Sequence, residues 1–275
     1  MHEPTPGPIR KGHRTRRAAT TLLGLVSVYT ATAYLLLPAL WARYEKQPGL
    51  ANQPMVTRTG DGIPGDPLNV GMVGDRDDVA HAMHAAGWYP ADPLTLRADA
   101  AIVGSVLLGR PDPTAPVSPL YLDGRREDSA YELPSGDSAR QRHHVRLWKV
   151  LDSGAEGRPV WLGATTFDRS VGVSDYTGQI THDIAPDVDT ERDFLVETLS
   201  EAKMAAQLYQ VAGVGPTING RNGEGSRYWT DGELRLVVLV EDGAPAGEAP
   251  EIIPAPPLIA AKDALWRAIG VAIQD

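Results

Sequence analysis

Cysteine is absent from the 275 residues, which excludes a disulfide framework, a thiolate metal site and a cysteine nucleophile. Also missing are a Gly-x-Ser-x-Gly elbow, a P-loop and a His-Glu-x-x-His helix, and Gly213-Val214-Gly215-Pro216 does not continue into a dinucleotide fingerprint. Serine-hydrolase, nucleotide-binding and zincin chemistry therefore have no motif to rest on. Positive charge is short: 26 Lys and Arg stand against 35 Asp and Glu, a formal charge of −9. The deficit is uneven, because residues 1–17 carry +4 through Arg10, Lys11, Arg14, Arg16 and Arg17 against Glu3, and residues 43–275 carry −13. A body this acidic argues against nucleic acid as a partner, since phosphate binding needs clustered Lys and Arg. No internal repeat is visible.

Long apolar runs are scarce as well, and the one that exists is decisive. Ala18–Ala42 contains no charged residue, and 25 helical residues would extend roughly 37 Å, enough for a hydrocarbon core of about 30 Å. Trp41 suits an interfacial anchor, and Pro38 sits where a kink is tolerated. A cleaved signal peptide is the rival reading, with Ala31-Thr32-Ala33 or Ala39–Ala42 as the cut site, but the run is longer than an ordinary signal core. The basic head before the span, against Arg43 and Lys46 after it, predicts a cytoplasmic N-terminus and an extracytoplasmic main domain at the cell membrane.

Beyond the span, residues 43–65 read as a polar tether rich in Pro and Gly, 66–240 as a folded domain, 241–257 as a Pro/Gly/Ala linker and 258–275 as an amphipathic helix packed on the domain. Asp66–Gly74 reads as a strand, Asp75–His84 as a capped helix, and Ala91–Gly109 as a second helix followed by a proline-stiffened loop. From Leu120 the period becomes two. A hairpin is expected around Gly124-Arg125-Arg126, another between His143–Val150 and Pro159–Phe167, and further strands at 171–174, 179–184, 208–211 and 234–240. Asp187–Lys203 is the strongest helix, acidic at its start and apolar on one face. Strands and helices mixed without regular alternation predict an α+β fold: one N-terminal transmembrane helix, then a mainly antiparallel sheet domain with packed helices.

Several strings occur in order along this domain: Gly65-Asp66-Pro67-Leu68-Asn69-Val70, Ala85-Ala86-Gly87-Trp88, Ser105–Pro111, His143–Trp148, Trp161–Asp168, Thr181-His182-Asp183-Ile184, and Asp187 to Asp193. Together they resemble the LssY C-terminal domain family over almost all of residues 40–240. The resemblance implies a membrane setting and carries no defined activity with it. Family members hold the domain beside type 2 phosphatidic acid phosphatase or DedA-type membrane domains, so the partners it implies are membrane proteins of those kinds. This chain has a single span in that place. The resemblance therefore points to an uncharacterised binding or accessory module of the cell envelope, and secondly to a membrane-tethered, metal-dependent hydrolase of a phosphate-containing or lipid substrate.

Alternation on the strand at 143–150 puts His143, Val145 and Leu147 on one face, read as core, and His144, Arg146 and Trp148 on the other. Asp168 closes the next strand and His182 lies on a later one. His144, Arg146, Asp168 and His182 are thus the catalytic candidates; His144, His182, Asp187 and Asp189 are the candidates for a divalent metal. Arg146 has the fork to hold a phosphate. Each also has a plainer role. Asp189 or Thr190 would cap the helix, Arg146 and Asp168 would pair across the hairpin, and His182 would be a hydrogen-bonded core histidine. Pro134-Ser135-Gly136-Asp137 reads as a turn, His81 and His84 as exposed, and Tyr228–Gly232 as a turn or the rim of a groove.

Overall fold

The computed structural model describes residues 12–45, 49–91, 97, 119–135, 141–178, 180–212 and 219–274. The chain divides into two compact units, Met1–Lys46 and Gln47–Asp275. The described residues of the first form one long helix built as α1 (Gly12–Ala31), a π-helical turn (Thr32–Leu36) and α2 (Leu37–Glu45). The π turn has a local cause. Pro38 has no N–H to donate and its ring crowds the carbonyl one turn back, and a widened turn relieves both. Thr15–Leu40 is long and apolar enough to cross a membrane, and none of it is buried against protein.

The second unit is α+β and mainly antiparallel, in agreement with the sequence. Its short first strands are β1 (Val56–Arg58) and β2 (Pro64–Pro67), followed by β3 (Val70–Val73), helix α3 (Arg76–Ala85) and β4 (Tyr89–Pro90). Then come β5 (Tyr121–Leu122), β6 (Arg125–Arg126), β7 (Ser129–Pro134), β8 (Arg142–Leu151), β9 (Val160–Val173) and β10 (Ile180–Ile184). Helix α4 (Val188–Glu201), β11 (Ala205–Ala212), β12 (Asn219–Arg221), β13 (Arg227–Trp229), β14 (Glu233–Leu239), β15 (Glu251–Ile252) and helix α5 (Pro257–Gln274) complete it. A nine-stranded sheet runs β15-β11-β14-β3-β9-β8-β7-β4, with β10 paired to β9, and a four-stranded sheet runs β2-β1-β5-β6. Among the described residues of the larger sheet, β14–β3 and β11–β15 are the pairs that run in parallel.

Helices α3 and α4 share one apolar cluster with the sheet, Val79, Ala82, Met83, Leu195 and Leu199 meeting Val70, Met72, Val145 and Leu147. Fully burying a leucine such as Leu195 is worth roughly 1.5–3 kcal/mol. A second cluster joins Trp148, Leu162, Leu234 and Leu236 to Leu50, Leu120 and Leu122. Asn69 links the two strands that flank it to the rest: its Nδ2 donates to the carbonyls of Thr165 and Val188, and its Oδ1 accepts from Thr165 N. Those partners satisfy a buried amide and fix β9 against the start of α4.

Four local expectations change. The stretch Asp66–Gly74 is two strands in two sheets, because Leu68 and Asn69 break the pairing. Residues 43–65 are more than a tether, since β1 and the buried Leu50 lie inside them. At Asp123-Gly124, both with positive φ (50° and 74°), β5 turns back onto β6; the Ser129–Pro134 strand pairs instead with β8. The segments Pro159–Phe167 and Val171–Ser174 form one strand, β9. The helix expected over Ala91–Gly109 and the proline loop after it lie largely outside the described residues, as do Gly136 and Asp137 of the expected turn.

Candidate functional site

Strand alternation does build one polar face. Arg142, His144 and Arg146 stand at every second position of β8; Glu132 pairs with His144 across β7, and Asp168 with Arg142 across β9. All five side chains are buried. The opposite face of β8 is core as expected, with one addition: His143 Nδ1 lies 2.7 Å from Glu191 Oε2 of α4, and its ring stacks on Phe194 at 4.0 Å.

The buried groups spend their charges on one another. Arg142 Nη1 donates to Glu132 Oε2 at 3.2 Å and its Nε lies 3.7 Å from Asp168 Oδ2. His144 stands between the two carboxylates, Nε2 at 3.5 Å from Glu132 Oε2 and Nδ1 at 3.3 Å from Asp168 Oδ2. His182 brings its own Nδ1 to 3.3 Å from the same Asp168 oxygen, and its Nε2 lies 3.0 Å from Arg142 Nη2. A guanidinium can only donate, so His182 Nε2 must accept and its proton sits on Nδ1, facing Asp168. The expected pairing of Arg146 with Asp168 is corrected: Arg146 Nη1 donates to Asp66 Oδ2 at 3.2 Å, and Asn222 Nδ2 donates to the other oxygen of Asp66.

Contact here is close without being well aligned. Asp168 Oδ2, His144 Nε2 and His182 Nδ1 are all buried atoms with no hydrogen bond of good geometry. Burial dominates the electrostatics. It raises Asp168 to about 7 in spite of Arg146 and Arg142, and it lowers His144 to about 4, with Arg146 and Arg142 acting in the same direction. His182 is also lowered, by burial first and then by Arg142. Asp168 is therefore the group in this face that holds a proton near neutrality, while both imidazoles are neutral.

His182 is where the cluster meets solvent. Its side chain keeps 25% exposure against 4–5% for Asp168 and His144, so it is neither a core histidine nor free. It lines a cleft of about 380 Å³ with Ser170, Asp175, Asp183, Glu224 and Ser226, between the β9–β10 hairpin and the loop that joins β12 to β13. Ser226 Oγ and Arg169 Nη2 both donate to Asp183. Gly225 closes that loop at φ +96°, and a Cβ there would fall 2.6 Å from an Asp175 oxygen, so both the turn and the close approach require glycine.

The remaining candidates sit elsewhere in the bonding. Asp187, rather than Asp189 or Thr190, caps α4, its Oδ1 accepting from Thr190 N. Asp189 accepts from Thr230 Oγ1, Asp231 N and Arg192 Nη1, and burial raises it to about 6. Arg192 in turn grips both carboxylate oxygens of Asp231. The structure thus joins His144, Asp168 and His182, places Arg146 beside them on a partner of its own, and gives Asp187 and Asp189 other partners. Among the described residues no group of three or more His, Asp or Glu is disposed to hold a metal ion. Sequence reasoning missed Glu132, Arg142 and Asp66. Arg142 was within reach, because it stands two residues before His144 on the same strand.

The family model described as LssY C-terminus matches residues 50–234. No curated protein and no solved structure matches the chain.

Proposed function

The chain belongs to the LssY C-terminal family, and from that premise we propose that it is a membrane-anchored binding or accessory module of the cell envelope. Residues 18–42 hold it in the bilayer with the N-terminus in the cytoplasm, and the family domain works outside, beside membrane proteins of the phosphatase or DedA type. The observation that carries a binding reading is the division of labour around His182. Behind it, Arg142 and Arg146 are buried and engaged by Glu132, Asp168 and Asp66; in front of it, the cleft presents Asp175, Asp183 and Glu224. Asp183 is paired with the exposed Arg169, but Asp175 and Glu224 still leave the cleft acidic, so it favours a neutral or cationic ligand with hydroxyl or ammonium donors. Thermal shift of the full chain with a neutral polyol, a primary ammonium compound and a phosphate monoester tests this. The first two should raise the midpoint and His182→Ala should abolish the rise. Stabilisation by the phosphate alone would overturn the reading.

One observation favours the hydrolase as a second reading: two imidazole Nδ1 atoms converge on a single carboxylate oxygen, each at 3.3 Å. A divalent cation takes these donor types once Asp168 is deprotonated and His182 gives up the proton on Nδ1, which requires its Nε2 to part from Arg142. Metal content of the purified chain, with His144→Ala and His182→Ala beside it, decides the matter. Content unchanged in both variants ends the metal proposal.

A further inference from the structure

Helix α5 has its polarity the wrong way round for a helix in water. A surface helix buries an apolar stripe and turns its charges outward. Among the described side chains of α5, those turned toward the domain are Ile259, Lys262 and Asp263, the last two bonded to Glu233 and Gln210. The residues turned outward are Leu258, Ala260, Ala261, Ala264, Leu265 and Ala268, all exposed and none polar. Leu265 is 62% exposed, and the strand ahead of the helix adds Ile252 at 73%. From Ile252 to Ile273 the charged residues are Lys262, Asp263 and Arg267, and the domain itself occupies the first two. This is a nearly uncharged surface on a body that carries −13 in all.

We propose that the outer face of α5, with Ile252 and Ile253 beside it, lies in the interface of the bilayer that holds the chain's own anchor. The inference rests on the membrane-anchored reading and deepens it by naming the surface that the domain presents to lipid. Lipid is the occupant because the span through residues 18–42 keeps a bilayer at high effective concentration beside everything that follows it. A stripe whose described residues in α5 are all apolar matches an interfacial helix, whereas the rest of the acidic body is repelled by anionic headgroups. Lys262 and Asp263 fix the rotation: by pinning the polar stripe to the domain they leave the apolar stripe outward.

The absence of cysteine supplies a clean test. Single variants Leu265→Cys, Leu25→Cys and Asp152→Cys of the full chain, labelled with an environment-sensitive fluorophore, are placed in nanodiscs of phosphatidylethanolamine and phosphatidylglycerol. The label at 265 should be blue-shifted, lose fluorescence to nitroxide-labelled lipid and resist iodide; the label at 152, in an exposed loop, should do the reverse. Introducing Leu258→Glu into the labelled 265 variant should restore iodide quenching. A label at 265 open to iodide overturns the proposal, as does one shielded from both quenchers, which would mean protein covers the face. The label at 25 separates the two readings. Quenched by lipid there and not at 265, the anchor stands and the docking fails; unquenched at 25, the anchor fails, and the docking is judged by 265 alone.

Discussion

Burial raises Asp168 to about 7 and lowers His144 to about 4, and the two shifts act on stability with opposite sign. For His144 the folded value lies below the ordinary 6.5, so the unfolded chain takes up its proton first. Stability from this residue is lost as pH falls from 6.5 toward 4. For Asp168 the folded value lies above the ordinary 3.8, so the fold takes up its proton first, and stability is gained as pH falls from 7 toward 3.8. At 1.36 kcal/mol per unit, each is on the order of 3–4 kcal/mol, enough for the pair to offset between pH 6.5 and 4. His182, lowered by burial, adds to the His144 side. The wild type should therefore weaken only modestly as pH falls through that window, and should also weaken as pH rises from 6.5 through 7. Asp168→Asn removes the compensating group. Its unfolding free energy in urea should fall between pH 6.5 and 4, by on the order of 3 kcal/mol, and stay level above 6.5. A variant profile that is flat between 6.5 and 4 would refute the opposed-proton account.

Helix α4 concentrates the links between core and cap. Its N-cap acceptor is Asp187 Oδ1 on Thr190 N, so Asp187→Ala should cost about 1 kcal/mol in chemical denaturation. Leu195, wholly buried at its centre, should cost roughly 2–5 kcal/mol when cut to Ala, through lost transfer energy and the cavity left behind; a loss under 1 kcal/mol would mean the helix is not seated on the core. That helix shows how far the sequence could be read. Its acidic start and apolar face located it within two residues, because a 3.6-residue period survives in the letters. The hairpin of β8 and β9 was legible for the same reason at period two, and so was the split of His143 from His144. Pairing partners were not legible. Whether Tyr121–Leu122 meets Arg125–Arg126 or the Ser129 strand depends on Asp123 entering a left-handed conformation, and periodicity does not record it. The site divided likewise. Strand order brought His144, Asp168 and His182 together, but the partner of Arg146 is Asp66, 80 residues away on a strand in another sheet, and a contact that distant leaves no local trace.

At the scale of the whole chain, the formal charge of −9 is the sum of a +4 head, an uncharged apolar segment and a −13 body. The proposed orientation rests on how those charges flank the apolar segment, since basic residues next to a span are retained in the cytoplasm and acidic ones count for little. The head offers Arg10, Lys11, Arg14, Arg16 and Arg17, and the far side offers Arg43 and Lys46. An alkaline phosphatase fused after Asp275 should accordingly be active, and a green fluorescent protein fused there dark. The converse pair of signals would reverse the proposed topology. Charge should also be the cause, and that is separately measurable. Replacing the five basic residues of the head with Gln while adding Lys at Gln47 and Asn52 inverts the bias without touching the apolar run, and the two reporters should then exchange signals. If both fusions keep the original orientation, the folded domain rather than the flanking charge directs insertion. If the phosphatase is active but the product lacks its first 42 residues, the segment is a signal peptide and the domain is released.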